Sequence, residues 1–270
     1  FKQKTAYEIS LGLVGSEMCI RDRLYVTGCS HTAGAEVITQ GNGQLTHAGL
    51  QKSYTGLLAE NYKLNLINDA YSGAGNEYIM RSAMDFVSTW QRAGRSLDDV
   101  LIICAWTTNE RVQFVWEKAD HPEERHIHWA NNQDPNQHKE KFGHDFTNWF
   151  KALKIYATDY YYGTKRKVGN IVLTSNYLES NNVDYIMLNS CAKLDPSWHD
   201  AKVSRARNPL SRYDHYIDQL PKVYFEPYDS FIEQYWEKEE CKEHISDWLH
   251  ADAHIHNLYY NKLKTWLETI

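Results

Sequence analysis

Apolar side chains stand next to one another, rather than alternating with polar ones, in four short runs: 24–28, 64–68, 100–106 and 183–188. Each run is bounded by polar or small residues, the pattern of strands buried on both faces of a parallel sheet. Between them the spacing becomes helical. Ile79, Ala83, Phe86 and Trp90 recur at intervals of four, three and four, and Met80, Met84 and Val87 widen the same stripe. Helical patterns also cover about 145–162 and 168–181, and a last one carries Ile255, Leu258, Tyr259, Leu263, Trp266, Leu267 and Ile270 on one face. This alternation predicts an α/β fold, a three-layer α/β/α sandwich with a flavodoxin-like parallel sheet covered by helices on both sides. Two stretches, 121–144 and 191–226, lack periodicity and exceed ordinary connections, which suits substrate-facing insertions or surface.

The first residues follow a different logic. Residues 2–9, "KQKTAYEI", and 13–22, "LVGSEMCIRD", read back into codons as adapter and transposon-end oligonucleotides of sequencing libraries, in one continuous frame. Residues 10–12 fall where a variable index would sit. Residues 1–23 are therefore expected to be a non-native, disordered segment, and 24–270 a single domain.

Composition narrows the function classes. A hydrophobic content of 42% with 24% charged residues fits a globular protein with a sizeable core. The formal net charge is -6, so there is no basic field to attract nucleic acid. No run of eighteen apolar residues exists, which removes a membrane span from the expectation. Cys29, Cys104, Cys191 and Cys241 are widely spaced without a C-x-x-C. That pattern is neither a zinc ribbon nor a disulfide framework, and a reducing, cytoplasmic setting is expected. Cys104 and Cys191 sit in apolar runs and read as small buried residues. Nine Trp and nineteen Tyr could line a sugar groove, although packing claims most such rings.

The chemistry gathers after the strands, where ligands of an open parallel sheet bind. The first run ends in Gly28-Cys29-Ser30-His31-Thr32-Ala33-Gly34, and the second leads into Asn68-Asp69-Ala70-Tyr71-Ser72-Gly73, followed by Gly75 and Asn76. Thr107-Thr108-Asn109-Glu110 follows the third, and Asp247-Trp248-Leu249-His250 precedes the last helix. Together they supply a hydroxyl, an imidazole, a carboxylate, backbone N–H donors and an amide, the inventory of acyl transfer. Each has a structural alternative. Ser30 and Asn109 suit helix N-caps, Gly73 suits a turn with positive φ, and Asp247 with His250 suits a local polar pair. Arg111 could anchor an anionic substrate or pair with Glu110 or Glu117.

In these four blocks, in this order over about 24–270, the sequence resembles the SGNH, or GDSL-like, hydrolase family, in a divergent form like those of environmental and phage genomes. The resemblance implies a serine esterase or acyl hydrolase without metal or organic cofactor. Its substrate would be a small-molecule or carbohydrate ester. Ser30 would be the nucleophile, His250 the base and Asp247 the group that holds the imidazole tautomer. The N–H groups of Ser30 and Gly73 and the amide of Asn109 would form the oxyanion hole, and His256 falls where the family often has a second histidine. The sequence departs from the family pattern at Cys29, where Asp is usual, at Thr107, where Gly is usual, at Glu110 in place of Asp and at Ala251 in place of Pro. Two other classes stay open: a non-catalytic, carbohydrate-binding module on the same fold, and a metal-dependent hydrolase using His250, His254 and Asp252.

Overall fold

The computed structural model describes residues 22–38, 46–109, 111–115, 126–129, 147–149, 151–152, 160–191, 223–225, 230–236, 238–246 and 250–269. Its centre is a four-stranded parallel sheet. Strand β1 (Arg23–Thr27) lies between β2 (Asn65–Asn68) and β3 (Val100–Trp106), and β3 pairs on its other side with β6 (Asp184–Asn189). The order β2-β1-β3-β6 places the reversal of winding beside β1, as in flavodoxin-like sheets. A separate antiparallel pair joins β4 (Val112–Val115) to β5 (His126–Trp129), the latter inside a stretch whose sequence shows no periodicity.

Side chains of successive strand residues point to opposite faces. Leu24, Val26, Leu101, Ile103, Ala105, Ile186 and Leu188 therefore pack on one side. There they meet α3 (Tyr54–Asn61) and α7 (Ala253–Leu267) through Tyr54, Leu58, Ile255, Tyr259 and Leu263. Tyr25, Ile102, Cys104, Trp106, Tyr185 and Met187 pack on the other, against Ile79, Ala83 and Val87 of α4 (Asn76–Arg92) and Ile171 and Leu178 of α5 (Tyr160–Ser180). Both faces are covered, which is why the runs are apolar throughout rather than alternating. Short helices are α1 (Ser30–Ala33), α2 (His47–Lys52) and α6 (Glu233–Trp236), with further helical residues at 147–149 and 151–152 and a 3-10 turn at Glu239–His244. No helix among the described residues is long and apolar enough to cross a membrane.

Three boundaries differ from the pattern. β1 starts at Arg23, one residue early, because Asp22 and Arg23 already donate to the Asp99 carbonyl while Asp22 accepts from Asn65 N–H. Residues 1–21 lie outside the described residues. A single helix, α5, runs through 163–167, where the sequence suggests a break between two helices. Polar positions interrupt the stripe there, yet Thr164 and Lys167 point inward and are buried. Gly163 belongs to the same contact, since a Cβ on it would lie 2.6 Å from the Asn109 carbonyl oxygen. Finally, Cys191 stands just past the end of β6 and is partly exposed, unlike the fully buried Cys104.

Candidate active site

At the end of β1 the chain turns within three residues. Gly28 permits the turn: a Cβ there would lie 2.5 Å from Thr32 Oγ1. Cys29 takes the N-cap position in an extended conformation, Ser30 opens α1, and Gly34 ends that helix in the left-handed region at φ 77. Thr32 fixes the turn from below, its hydroxyl lying 2.9 Å from both Tyr54 Oη and Ser190 Oγ. This ties the serine-bearing turn to α3 and to the end of β6.

His250 reaches Ser30 from a short loop before α7. Ile245 and Ala251 form an antiparallel bridge, Ser246 N–H donates to the His250 carbonyl, and His250 N–H donates to Ser246 Oγ. Ala253 N–H donates to the Val37 carbonyl, docking the start of α7 on the segment that follows α1. The result is a distance of 2.9 Å between His250 Nε2 and Ser30 Oγ. Burial, then the neighbouring His31, lowers the His250 pKa below the ordinary histidine value, against an opposing pull from Glu36. The net shift favours the neutral ring.

On the other side of that ring stands Glu36. Its Oε2 lies 3.5 Å from His250 Nδ1, an ion-pair distance longer than a formed hydrogen bond, and Nδ1 has no hydrogen-bond partner. Glu36 is buried to 1% exposure, accepts a hydrogen bond from Ser246 Oγ at 2.7 Å and has φ 60. A non-glycine residue in the left-handed region costs energy and is held there by its surroundings. Its sequence position, six residues after Ser30 in a turn, carries no family motif, and only the αL turn brings it back under His250. Asp247, the carboxylate that the D-x-x-H spacing suggests, lies outside the described residues.

The expected oxyanion residues sit on neighbouring loops, since β2 and β3 flank β1. Gly73 adopts φ 82 in the loop after β2. Asn109 is buried beyond β3, where its Nδ2 donates to Thr164 Oγ1 at 2.8 Å, its Oδ1 has no partner and its carbonyl accepts from Arg166. One amide donor of Asn109 is therefore spent on α5. The loop itself is clamped by Asn76, the first residue of α4. Asn76 Oδ1 accepts from Thr107 N–H at 2.9 Å, and its Nδ2 donates to the Thr108 carbonyl at 3.1 Å.

The remaining histidines separate by environment. His256 is fully buried, and its Nδ1 accepts the Tyr54 N–H at the start of α3. Burial, with the charges of His31 and His250, lowers its pKa to about 3. It is a core residue that satisfies a helix N-terminus. His254 is exposed and lies against His244, with ring centroids 4.4 Å apart. Asp252 caps α7 through His254 N–H and Ile255 N–H, and its second oxygen meets His244 Nδ1 at 2.8 Å. The trio His250, His254 and Asp252 is thus divided between three tasks and does not converge.

Among the described residues, the metal-type donors that do converge are Cys29, His31 and Cys191, with ligand atoms within 4.8 Å of one another. Arg111 acts on both sulfurs, a positive charge that favours anions and opposes a dication, whereas burial pulls the nearby Lys167 down to about 7. A cavity of about 590 Å³ beside α4, lined by Tyr25, Asp69, Ser82, Trp90 and Arg95 among others, includes none of the candidate site residues.

No protein-family model and no curated protein matches the sequence. Among solved structures, the chain is similar to a carbohydrate esterase family 2 enzyme with a carbohydrate-binding domain from Corynascus thermopiles (Myceliophthora fergusii). Identity is 13% and the TM-score 0.43, over 92% of this chain and 65% of that one. It is also similar to the psychrotrophic esterase EstA from Pseudoalteromonas sp., crystallised with monoethylphosphonate as inhibitor, at 12% identity and TM-score 0.41 over 91% and 98% of the two chains. A third likeness is to a carbohydrate esterase whose active site is described as having divergent catalytic and non-catalytic binding functions. It stands at 16% identity and TM-score 0.42, over 93% of this chain and 69% of that one.

Proposed function

We propose that the protein is a serine ester hydrolase in which Ser30 is the nucleophile and His250 the general base. The observation that carries this reading is the 2.9 Å contact between Ser30 Oγ and His250 Nε2 across 220 residues of sequence, at the carboxyl end of a strand beside the switch point. Ser30 Oγ attacks the ester carbonyl as its proton passes to His250 Nε2, and the carbonyl π electrons move to the oxygen. Collapse of the tetrahedral intermediate expels the alkoxide, which takes that proton from His250 and leaves an acyl-Ser30. A water molecule then repeats both steps, using the same nitrogen, and frees the carboxylic acid.

Glu36 is the positioning carboxylate of this reading. It faces Nδ1 from a buried site, so it can keep the imidazole in the tautomer with Nε2 free and stabilise the imidazolium once formed. The developing oxyanion would be met by the Ser30 and Gly73 N–H groups and by the second amide hydrogen of Asn109. Such donors are each worth about 3 kcal/mol in the transition state. The substrate class is an acyl ester, of a small molecule or a carbohydrate. A binding module without turnover is the second reading, favoured by the Asn109 amide being engaged with Thr164.

Hydrolysis of a short-chain p-nitrophenyl acyl ester separates the two. Turnover by the wild type that falls by about 10⁴-fold or more in both Ser30→Ala and His250→Ala supports the esterase. Absence of turnover in the wild type, or turnover that survives Ser30→Ala, removes it.

A further inference from the structure

Directly beside Ser30 lies a second group of reactive atoms that the hydrolytic reading does not use. Cys29 Sγ and Cys191 Sγ are 3.3 Å apart, although 162 residues separate them in sequence. They meet over the carboxyl end of β3, where Thr107 Oγ1 donates to Cys191 Sγ at 3.6 Å. We propose that Cys29 and Cys191 form an oxidisable dithiol, which a hydroperoxide closes to a disulfide that displaces the turn carrying Ser30.

The two sulfurs are differentiated as such chemistry requires. The two thiols lie within hydrogen-bond distance of each other, and the contact favours the charged form of Cys191. That contact, then Arg111, Thr107 and Lys167, outweighs burial and lowers the Cys191 thiol to about 6. Burial and the adjacent Cys191 push Cys29 up to about 12. The opposite directions of the two shifts make Cys191 the more acidic thiol of the pair and Cys29 the one that holds its proton longer. Cys191 is also the partly exposed member, whereas Cys29 is fully buried. A low-pKa thiol in an electropositive setting, on a partly exposed residue beside a second cysteine, is the arrangement of an oxidation site.

The electrons balance in two steps. The Cys191 thiolate attacks the terminal peroxide oxygen and breaks the O–O bond. The transferred OH makes Cys191 a sulfenic acid, and the hydroxide that leaves hydrogen peroxide takes a proton from solvent and departs as water. Cys29 sulfur then displaces the sulfenic oxygen, which leaves as water with the thiol proton. Overall, two thiols lose two electrons and the peroxide becomes two waters.

Closure brings the sulfurs from 3.3 Å to the bond length of about 2.05 Å. Cys29 is the N-cap of α1 and the residue before Ser30, so the movement falls on the nucleophile's own turn. A displacement of about 1 Å at a reacting group can reduce its rate by about 100-fold. This consequence for Ser30 rests on the nucleophile reading above, whereas the disulfide does not.

The test treats the full chain with hydrogen peroxide and maps thiols by mass spectrometry, alongside the rate of fluorophosphonate labelling. The expected result is a Cys29–Cys191 linked peptide and a labelling rate about 100-fold lower, restored by dithiothreitol. Cys29→Ser should instead accumulate a Cys191 sulfenic acid that a 1,3-dione traps. Unlinked thiols, a Cys191 sulfinic acid beside a free Cys29, or protection of both thiols by added zinc would overturn the dithiol. A linked protein that labels as fast as the dithiol form would overturn its effect on the turn. If the reduced protein takes no label at all, the nucleophile reading fails while the linked peptide still decides the dithiol.

Discussion

At the scale of single residues, the proposed chemistry rests on the contacts around His250. The serine and the histidine were legible in the sequence because each stands in a short motif at a strand end or before a helix. Glu36 was not, because its approach to His250 depends on a left-handed turn that no hydrophobic pattern announces. Its role predicts that Glu36→Gln lowers kcat by about 100-fold or more while leaving KM nearly unchanged. Asp247→Asn is the discriminating partner variant. If it costs more than Glu36→Gln, the orienting carboxylate has been misassigned. The pH profile gives a second readout. His250 accepts a proton only when neutral, so kcat/KM should rise with pH along a limb whose midpoint lies below the ordinary histidine value of about 6.5, and be flat above it. Glu36 is one of the groups that raises the His250 value, so Glu36→Gln should move that midpoint to still lower pH. A midpoint that stays in place in the variant would deny the carboxylate its electrostatic role.

Secondary-structure elements show a second division between what pattern reveals and what it hides. The stripe of Ile79, Ala83, Phe86 and Trp90 predicts α4 well because Ile79 and Ala83 are buried in the core on that face of the sheet and Phe86 and Trp90 pack against it. The four residues of α1 are too few to show a period, and α3 has little contrast between its faces. The inward polar residues Thr164 and Lys167 split α5 in the sequence but not in the fold. His256 belongs to this scale, because its ring joins α7 to the start of α3. Its folded-state value of about 3 lies below the unfolded value of about 6.5, so the unfolded chain takes up the proton first as pH falls. The stabilisation is complete above about 6.5 and is lost toward 3, at about 1.4 kcal/mol per pH unit for this one group. Urea unfolding should show His256→Ala destabilised at pH 7 by about 2–4 kcal/mol, from the lost acceptor and the cavity among Tyr54, Phe231 and Tyr259. Its stability should also fall less steeply between pH 6 and 4 than that of the wild type. Equal slopes in the two proteins would show that the histidine is not buried neutral.

For the whole molecule, strand order converts local motifs into a site. With β1 between β2 and β3, the segments after these three strands open on the same end of the sheet, and α7 returns the chain over it. The α/β class and the layering followed from apolar runs alternating with helical stripes, since a sheet buried on both faces leaves that trace in sequence. The meeting of Cys29 with Cys191 left no trace, because it depends on where β6 ends relative to β1 rather than on any local pattern. The central claim is that this arrangement makes Ser30 a nucleophile. A fluorophosphonate warhead applied to the reduced protein, followed by peptide mapping, reads this without knowledge of the substrate. Stoichiometric phosphonylation of Ser30, abolished in His250→Ala, is the predicted result. A folded protein that takes no label, or takes it on another residue, would contradict the account.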